Sequence, residues 1–136
     1  MTRAEATAII ERLQDAQAAL YRDGDPEPVR QVLTDDVEWV VPGASTIAGT
    51  YRGVDDAVAY MMARRELAGG TFRMTRRALL TGEGYIAALT DGRATIAGRE
   101  HAWSTVGLYR TRGGLIASCR LIPFDQAEFD AVWSSA

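Results

Sequence analysis

An α+β fold is predicted from three observations on this 136-residue chain. The first third has helical periodicity, another helical pattern follows a short pair of strands, and the remainder consists of long strand patterns separated by glycines. The order helix, helix, strand pair, helix, four strands, helix is typical of α+β folds. We expect a cone-shaped, curved antiparallel sheet wrapped around helices, with one open mouth.

The first two helices are predicted from their capping signals. Thr2 and Glu5 have the spacing of a capping box, and apolar residues then recur at helical intervals, so the first helix should cover residues 3–22. The Asp-Pro pair at position 25 marks the start of a second, short helix, because proline suits the first helical position. That helix should end near Thr34.

The strand pair and the third helix follow in the segment DDVEWVVPGASTIAGTYRG and beyond it. Residues 37–41 alternate across two faces, a Pro-Gly turn comes next, and a short second strand precedes Gly53. The third helix has two aspartates in its first turn, and Gly69 and Gly70 end it. Its apolar stripe should cover a sheet.

Four long strands and a last helix complete the predicted fold. Glycines separate the strands as in antiparallel hairpins, and Asp91–Gly92 within one of them suggests a bulge or bend. Asp125, with Glu128 three residues later, should cap the last helix. The expected strands cover residues 71–81, 85–97, 100–110 and 115–122.

Composition predicts one domain and excludes several partners. With 47% hydrophobic residues, the chain can bury one core, which makes residues 1–136 a single domain. A net charge of −3 argues against nucleic-acid binding, and the basic stretch around Arg64, Arg65, Arg73, Arg76 and Arg77 is interpreted as a solvated face. The sequence has neither a signal peptide nor a long apolar run, so we expect a cytoplasmic protein that does not bind membranes.

Missing residue types exclude several chemistries. The chain has no lysine, which removes Schiff-base chemistry, and a single histidine cannot build a multi-histidine metal site. The segment GEGYIA fits a dinucleotide pattern, but it precedes a strand where a helix would be needed. We therefore expect neither a metal nor another cofactor.

Two segments carry a resemblance to a known family. Residues 35–53 and the segment GLYRTRGGLIASCRLIPFDQAEFDAV, residues 107–132, are similar to the pocket entry and the last hairpin of the nuclear transport factor 2-like superfamily. That superfamily includes ketosteroid isomerases, limonene epoxide hydrolases and SnoaL-like polyketide cyclases. The resemblance implies its cystatin-like roll and a small-molecule pocket, but these folds host many chemistries.

The catalytic carboxylates of the two best-understood relatives do not carry over. Val41 stands where the isomerases have their aspartate base, and Gln17 stands near the position of their oxyanion tyrosine. In the epoxide-hydrolase pattern the arginine survives as Arg93, but the two aspartates become Thr95 and Leu121. Neither mechanism is therefore expected in its known form.

A ligand pocket is predicted from strand alternation together with the resemblance. On the fifth strand Trp103 and Tyr109 share one face with His101, and the family geometry implies that this face lines the cone. An aromatic lining with few carboxylates suits a small apolar or polycyclic ligand. The predicted ligand-binding residues are Trp39, Val41, Tyr60, Trp103, Tyr109, Cys119 and Leu121.

Two residues are candidates for catalysis. His101 is the only side chain whose ordinary pKa lies near neutrality, and Arg93 could neutralise an enolate. A half-exposed structural histidine and a surface ion pair are the alternatives. Asp125 is better explained as a helix cap, and Cys119 as a small core residue.

Two functions of different kinds remain open. The first is a cofactor-independent cyclase or isomerase that moves protons on a polyketide-like or other apolar carbonyl compound of secondary metabolism. The second is a non-catalytic module that binds a ligand or only dimerises. We also expect a homodimer through the uncharged outer strip formed by Ala102, Ser104, Val106 and Leu108.

Overall fold

The computed structural model describes residues 1–134, and this part of the chain has the predicted α+β architecture. Helices cover the ends and the middle of the chain, with strands between them. In chain order the elements are α1 (Arg3–Asp23), α2 (Glu27–Val32), β1 (Leu33–Val41), β2 (Gly49–Arg52), α3 (Val54–Ala68), β3 (Arg73–Gly82), β4 (Tyr85–Ile96), β5 (Arg99–Arg112), β6 (Leu115–Pro123) and α4 (Gln126–Trp133).

One curved six-stranded sheet with the strand order β2-β1-β6-β5-β4-β3 forms the wall of the cone. Every neighbouring pair is antiparallel except β1 and β6, which run parallel. The predicted curved sheet is confirmed, and its predicted antiparallel pairing holds for every neighbouring pair but this one. Parallel neighbours need a long connection, and here the chain from β2 to β5 provides it.

The predicted caps are present at both ends of the chain. The Glu5 amide donates to Thr2 Oγ1 at 3.1 Å, and the Thr2 amide donates to the Glu5 carboxylate at 3.4 Å, which completes the capping box of α1. The Glu128 amide donates to Asp125 Oδ1 at 3.0 Å. Among residues 1–134, no helix combines the length and the hydrophobicity needed to cross a membrane.

Two local predictions are corrected. The second helix ends at Val32 rather than near Thr34, because β1 begins at once with Leu33. The register shift between β3 and β4 falls at Arg77, whereas Asp91–Gly92 pairs regularly with both neighbouring strands. The extra residue that bends the sheet is therefore in β3.

Two glycines of the sheet make room for aromatic rings on its inner face. A Cβ atom at Gly92 would lie 2.5 Å from Cε2 of Trp103, its partner on β5. A Cβ atom at Gly107 would lie 2.6 Å from the hydroxyl of Tyr109. Glycine is required at both positions because the rings lie flat against the backbone.

We predict that Gly92→Ala lowers the free energy of unfolding by about 1–3 kcal/mol, because the added methyl group overpacks the site under Trp103. Gly82→Ala is the matched control, since a Cβ atom there meets nothing within 4 Å, and its effect should stay within about 0.5 kcal/mol. Urea unfolding measures both. Equal stabilities of the two variants would contradict this account of Gly92.

Candidate functional site

An aromatic cluster fills the interior of the cone. Strand alternation turns Trp39 of β1 and Trp103 of β5 inward, and the helices add rings from the other side. Neighbouring rings contact one another at centroid distances between 4.4 and 6.4 Å. The members of the aromatic cluster are Tyr21, Trp39, Tyr60, Phe72, Trp103, Tyr109 and Trp133.

Arg64 of α3 lies inside this cluster, with only 4% of its surface exposed. Its guanidinium carbon is 4.7 Å from the ring centre of Tyr60, 4.8 Å from Phe72, 5.1 Å from Tyr21 and 5.6 Å from Trp133. One Nη2 group donates a hydrogen bond to the Tyr21 hydroxyl. The interpretation of Arg64 as part of a solvated basic face is therefore wrong.

Helical geometry explains why this arginine points inward. The buried residues Ala57, Met61, Arg64 and Ala68 recur at intervals of four, three and four along α3, so they share one face of the helix. Tyr60, four residues before Arg64, lies one turn away on the same side. The position of Arg64 follows from the same stripe that places the core residues of α3.

The positive charge of Arg64 has no acidic partner. All 18 Asp and Glu side chains lie within residues 1–134, and none of them is buried. The Nε group of Arg64 is buried without a hydrogen-bond acceptor in the described part of the chain. Burying an unpaired charge costs several kcal/mol. Cation–π contacts of about 2 kcal/mol when desolvated, together with the Tyr21 hydroxyl, offset that cost.

The other titratable groups of the interior are neutral. Burial raises the pKa of Tyr60, and the Arg64 charge opposes this shift only in part. Burial likewise raises the pKa values of Tyr21 and Tyr109. Burial also raises the pKa of Cys119, which pairs with Tyr109 across β5 and β6. At neutral pH the interior formed by residues 1–134 therefore has the fixed positive charge of Arg64 and no ionised base.

A small cavity of about 30 Å³ opens beside Arg64. This volume holds about two water molecules. Polar side chains from α1, Gln14 and Gln17, face it, and the Gln14 amide donates to Thr90 Oγ1 at 3.4 Å. The cavity is lined by Gln14, Gln17, Trp39, Arg64, Phe72, Met74, Thr90, Gly92, Trp103, Thr105, Gly107, Tyr109 and Leu121.

Most of the predicted ligand-binding residues lie together in this interior. Trp39, Trp103, Tyr109 and Leu121 line the cavity itself. The remaining predicted residues, Tyr60, Cys119 and Val41, are buried but are not part of the cavity wall. Tyr60 packs against Trp39 and under the Arg64 guanidinium. Ligand binding by these residues stays a prediction.

The two predicted catalytic residues lie elsewhere. His101 and Arg93 line a surface depression that shares no residue with the cavity wall. Arg93 is exposed and His101 is half-buried, with an Nε2 atom that has no hydrogen-bond partner among residues 1–134. They stand on the neighbouring strands β4 and β5, but Arg93 pairs with Ala102 and His101 pairs with Ala94, so strand alternation turns their side chains to opposite faces of the sheet. Their catalytic roles also stay predictions.

Sequence reasoning missed Arg64, Tyr21, Phe72 and Trp133 as parts of the site. Arg64 could have been found, because it continues the apolar stripe of α3 at helical spacing. Tyr21 and Trp133 also continue the buried faces of their helices. Because charged side chains usually face water, the sequence alone did not predict that Arg64 lies at the centre of the aromatic cluster.

Comparison with known proteins identifies the family. A family description for the SnoaL-like domain matches residues 14–119, and the chain belongs to this family. An uncharacterised protein of Mycobacterium tuberculosis is 31% identical over 117 residues, which cover 85% of this chain and 89% of the relative.

Two solved structures share the fold at low sequence identity. A candidate SnoaL-like polyketide cyclase from Jannaschia sp. CCS1 has a TM-score of 0.79 at 13% identity, covering 98% of this chain and 94% of that one. TerC, co-crystallised with polyporic acid, has a TM-score of 0.76 at 22% identity, covering 94% of this chain and 97% of that one. The chain thus has the nuclear transport factor 2-like fold in its SnoaL-like form.

We predict that the stability of the protein decreases above pH 10 and that Tyr60 contributes to this decrease. The folded-state pKa of Tyr60 is raised above the unfolded value of about 10, so its contribution is complete below pH 10 and is lost as the unfolded chain ionises. Between pH 10 and 11, wild type should lose about 1 kcal/mol more than Tyr60→Phe. Urea unfolding at both pH values measures the difference.

Tyr85→Phe is the control for this measurement, because it removes the hydroxyl of a tyrosine at the surface rather than in the core. It should not reproduce the effect of Tyr60→Phe. If Tyr60→Phe also retained the full pH dependence, the Tyr60 hydroxyl would have to reach solvent in the folded protein.

Proposed function

We propose that this protein binds a small apolar carbonyl compound in the cone and acts on it as a cofactor-independent cyclase or isomerase. Membership of the SnoaL-like family and the fold shared with a candidate polyketide cyclase support this reaction class. The observation that carries the proposal is the buried cation of Arg64 beside a cavity with aromatic walls. A fixed cation in a dry site stabilises an oxyanion that develops during a reaction.

The chemistry assigned to the interior is the stabilisation of an enolate. When a carbonyl compound loses a proton from the neighbouring carbon, negative charge moves to the carbonyl oxygen. That oxygen would lie against the Arg64 guanidinium, while the flat conjugated body would pack between Trp39 and Trp103. Ring closure or double-bond migration can follow from the enolate.

His101 keeps a proposed role in proton transfer and Arg93 one in neutralising negative charge, but only for a substrate that extends from the cavity to the surface depression. No buried group in residues 1–134 is a suitable base at neutral pH, because every carboxylate lies at or near the surface. His101, at the start of β5, is then the candidate proton acceptor.

A non-catalytic ligand-binding module is the second candidate. The cavity in its present form holds about two water molecules, far less than a polycyclic compound needs. A ligand of that size must displace part of the wall. The observation that supports this second candidate is the absence of an interior carboxylate in residues 1–134.

We predict that polycyclic aromatic carbonyl compounds quench tryptophan fluorescence and raise the melting temperature, since all three tryptophans belong to the aromatic cluster. Trp103→Ala should weaken binding by about 1 kcal/mol or more, because Trp103 lines the cavity. Phe124→Ala is the matched control: this aromatic residue is exposed on the surface, and its removal should leave binding unchanged.

Conversion assays with the compounds that bind separate the two candidates. The enzyme requires turnover, and if His101 moves the proton, His101→Ala should lower the rate about 10²–10⁴-fold without loss of folded protein. Arg93→Gln should also lower it if that residue neutralises the enolate. Binding without turnover supports the module, and failure of a broad panel to bind contradicts both candidates.

We further propose that the protein forms a homodimer through the outer face of the sheet. Four apolar residues, one from each of β3 to β6, lie side by side across this face at paired positions: Ala78, Leu89, Val106 and Ile122. The next row contains Leu80, Ala87 and Leu108 and ends at Arg120, and Leu80 is 59% exposed. Covering the apolar positions removes apolar area from water, while the exposed Arg120 would lie at the rim of the interface.

We predict a dimer in sedimentation experiments at tens of micromolar protein, and a monomer for Val106→Arg, because the new charge lies at the centre of the apolar face. Thr81→Arg adds the same charge to an exposed residue whose side chain alternates away from that face, and it should leave the dimer intact. A monomeric wild type would overturn the proposed assembly.

A further inference from the structure

The interior of the cone contains buried hydrogen-bond donors that have no acceptor within residues 1–134. The Nε group of Arg64 and the indole Nε1 of Trp39 are both buried without an acceptor among residues 1–134, and both residues line the cavity. Tyr60 adds a buried hydroxyl without a partner. Donors of this kind, arranged around one positive charge, match the requirements of an anionic oxygen.

A purely structural role explains Arg64 less well. An arginine that served only to pack against rings would be replaceable by an apolar side chain, and burying the charge is costly. The Tyr21 hydroxyl accepts one hydrogen bond from Nη2 of Arg64. It does not neutralise the guanidinium, because burial raises the pKa of Tyr21 and keeps the hydroxyl protonated at neutral pH. The net charge of the interior therefore remains positive until a ligand supplies the counter-charge.

We propose that the cone takes its ligand as an anion, an oxyanion conjugated to a flat apolar body, with the charged oxygen bound by Arg64. This inference rests on the proposed small-molecule pocket and names its ligand class. The described part of the chain places a fixed cation in the interior and no ionised base there. A ligand that ionises in water before it binds needs no base in the pocket and supplies the counter-charge for Arg64. Aromatic carboxylates and acidic enols such as hydroxyquinones belong to this class.

The size of the cavity fits the charged part of such a ligand. About 30 Å³ next to Arg64 can accommodate a group as large as two water molecules, which is the scale of a carboxylate head or of an enolate oxygen. The apolar body must then lie among the rings of the aromatic cluster. Rings that stack on a cation also offer flat faces to a conjugated ligand.

Calorimetric titration with two matched pairs of probes at pH 7 tests the proposal. Naphthoate and 2-hydroxy-1,4-naphthoquinone are ionised at this pH, and naphthamide and 2-methoxy-1,4-naphthoquinone are their neutral counterparts. Each anion should bind about tenfold or more tightly than its neutral counterpart, because a hydrogen bond to a charged partner contributes that much. The two pairs distinguish a carboxylate ligand from an ionised enol.

Arg64→Met should abolish the preference for anions, whereas Arg64→Lys should retain part of it. Arg65→Met is the matched control on the same helix, since the Arg65 guanidinium donates to the Arg22 carbonyl at 3.4 Å and does not line the cavity. Its preference should equal that of wild type. If Arg64→Met did not fold, Arg64→Gln would give the same comparison with a polar side chain.

Each outcome separates the ligand class from the pocket itself. Equal binding of anionic and neutral probes, unchanged by Arg64→Met, overturns the anion proposal and leaves the pocket intact. Failure of all four probes to bind or to raise the melting temperature of wild type overturns both. Preference for one anion over the other, lost in Arg64→Met, assigns the chemical type of the oxyanion.

Discussion

The burial of one uncompensated positive charge is the constraint on which the interior of this molecule depends. Arg64 can remain inside only if something other than a carboxylate stabilises it, and four aromatic rings and a hydroxyl do so. Those groups come from α1, α3, α4 and the segment before β3. The three helices α1, α3 and α4 must therefore pack against one another around the Arg64 guanidinium, inside the curved sheet.

The rings impose a second condition, which the sheet meets. Large aromatic side chains on the inner face of a curved sheet lie close to the backbone, and Gly92 and Gly107 provide the space they need. The same curvature leaves a small cavity at the side of Arg64 where α1 contributes amides rather than rings. The aromatic rings that shield the Arg64 guanidinium from water therefore also leave one side of it facing the cavity.

Local signals in the sequence are sufficient for the element order, since capping residues, glycines between strands and strand alternation predict it. Strand alternation groups Trp103 with Tyr109, but only the family resemblance implies that their face, with Trp39, lines the cone. Arg64 escapes prediction because it stands in a run of arginines that is typical of a solvated face. The parallel pairing of β1 with β6 joins residues far apart in sequence, and alternation within a strand carries no information about such a partner.

That parallel pair also determines when the protein can complete its fold. The strand β1 is complete at Val41, but its parallel neighbour β6, which ends at Pro123, is the last of the six strands along the chain. During translation the first helices and the short β1–β2 hairpin can form early, while one edge of β1 has no partner until the other five strands have been made. Sheet formation is therefore a late, long-range event, with slow closure and a period in which an apolar edge is open to other chains.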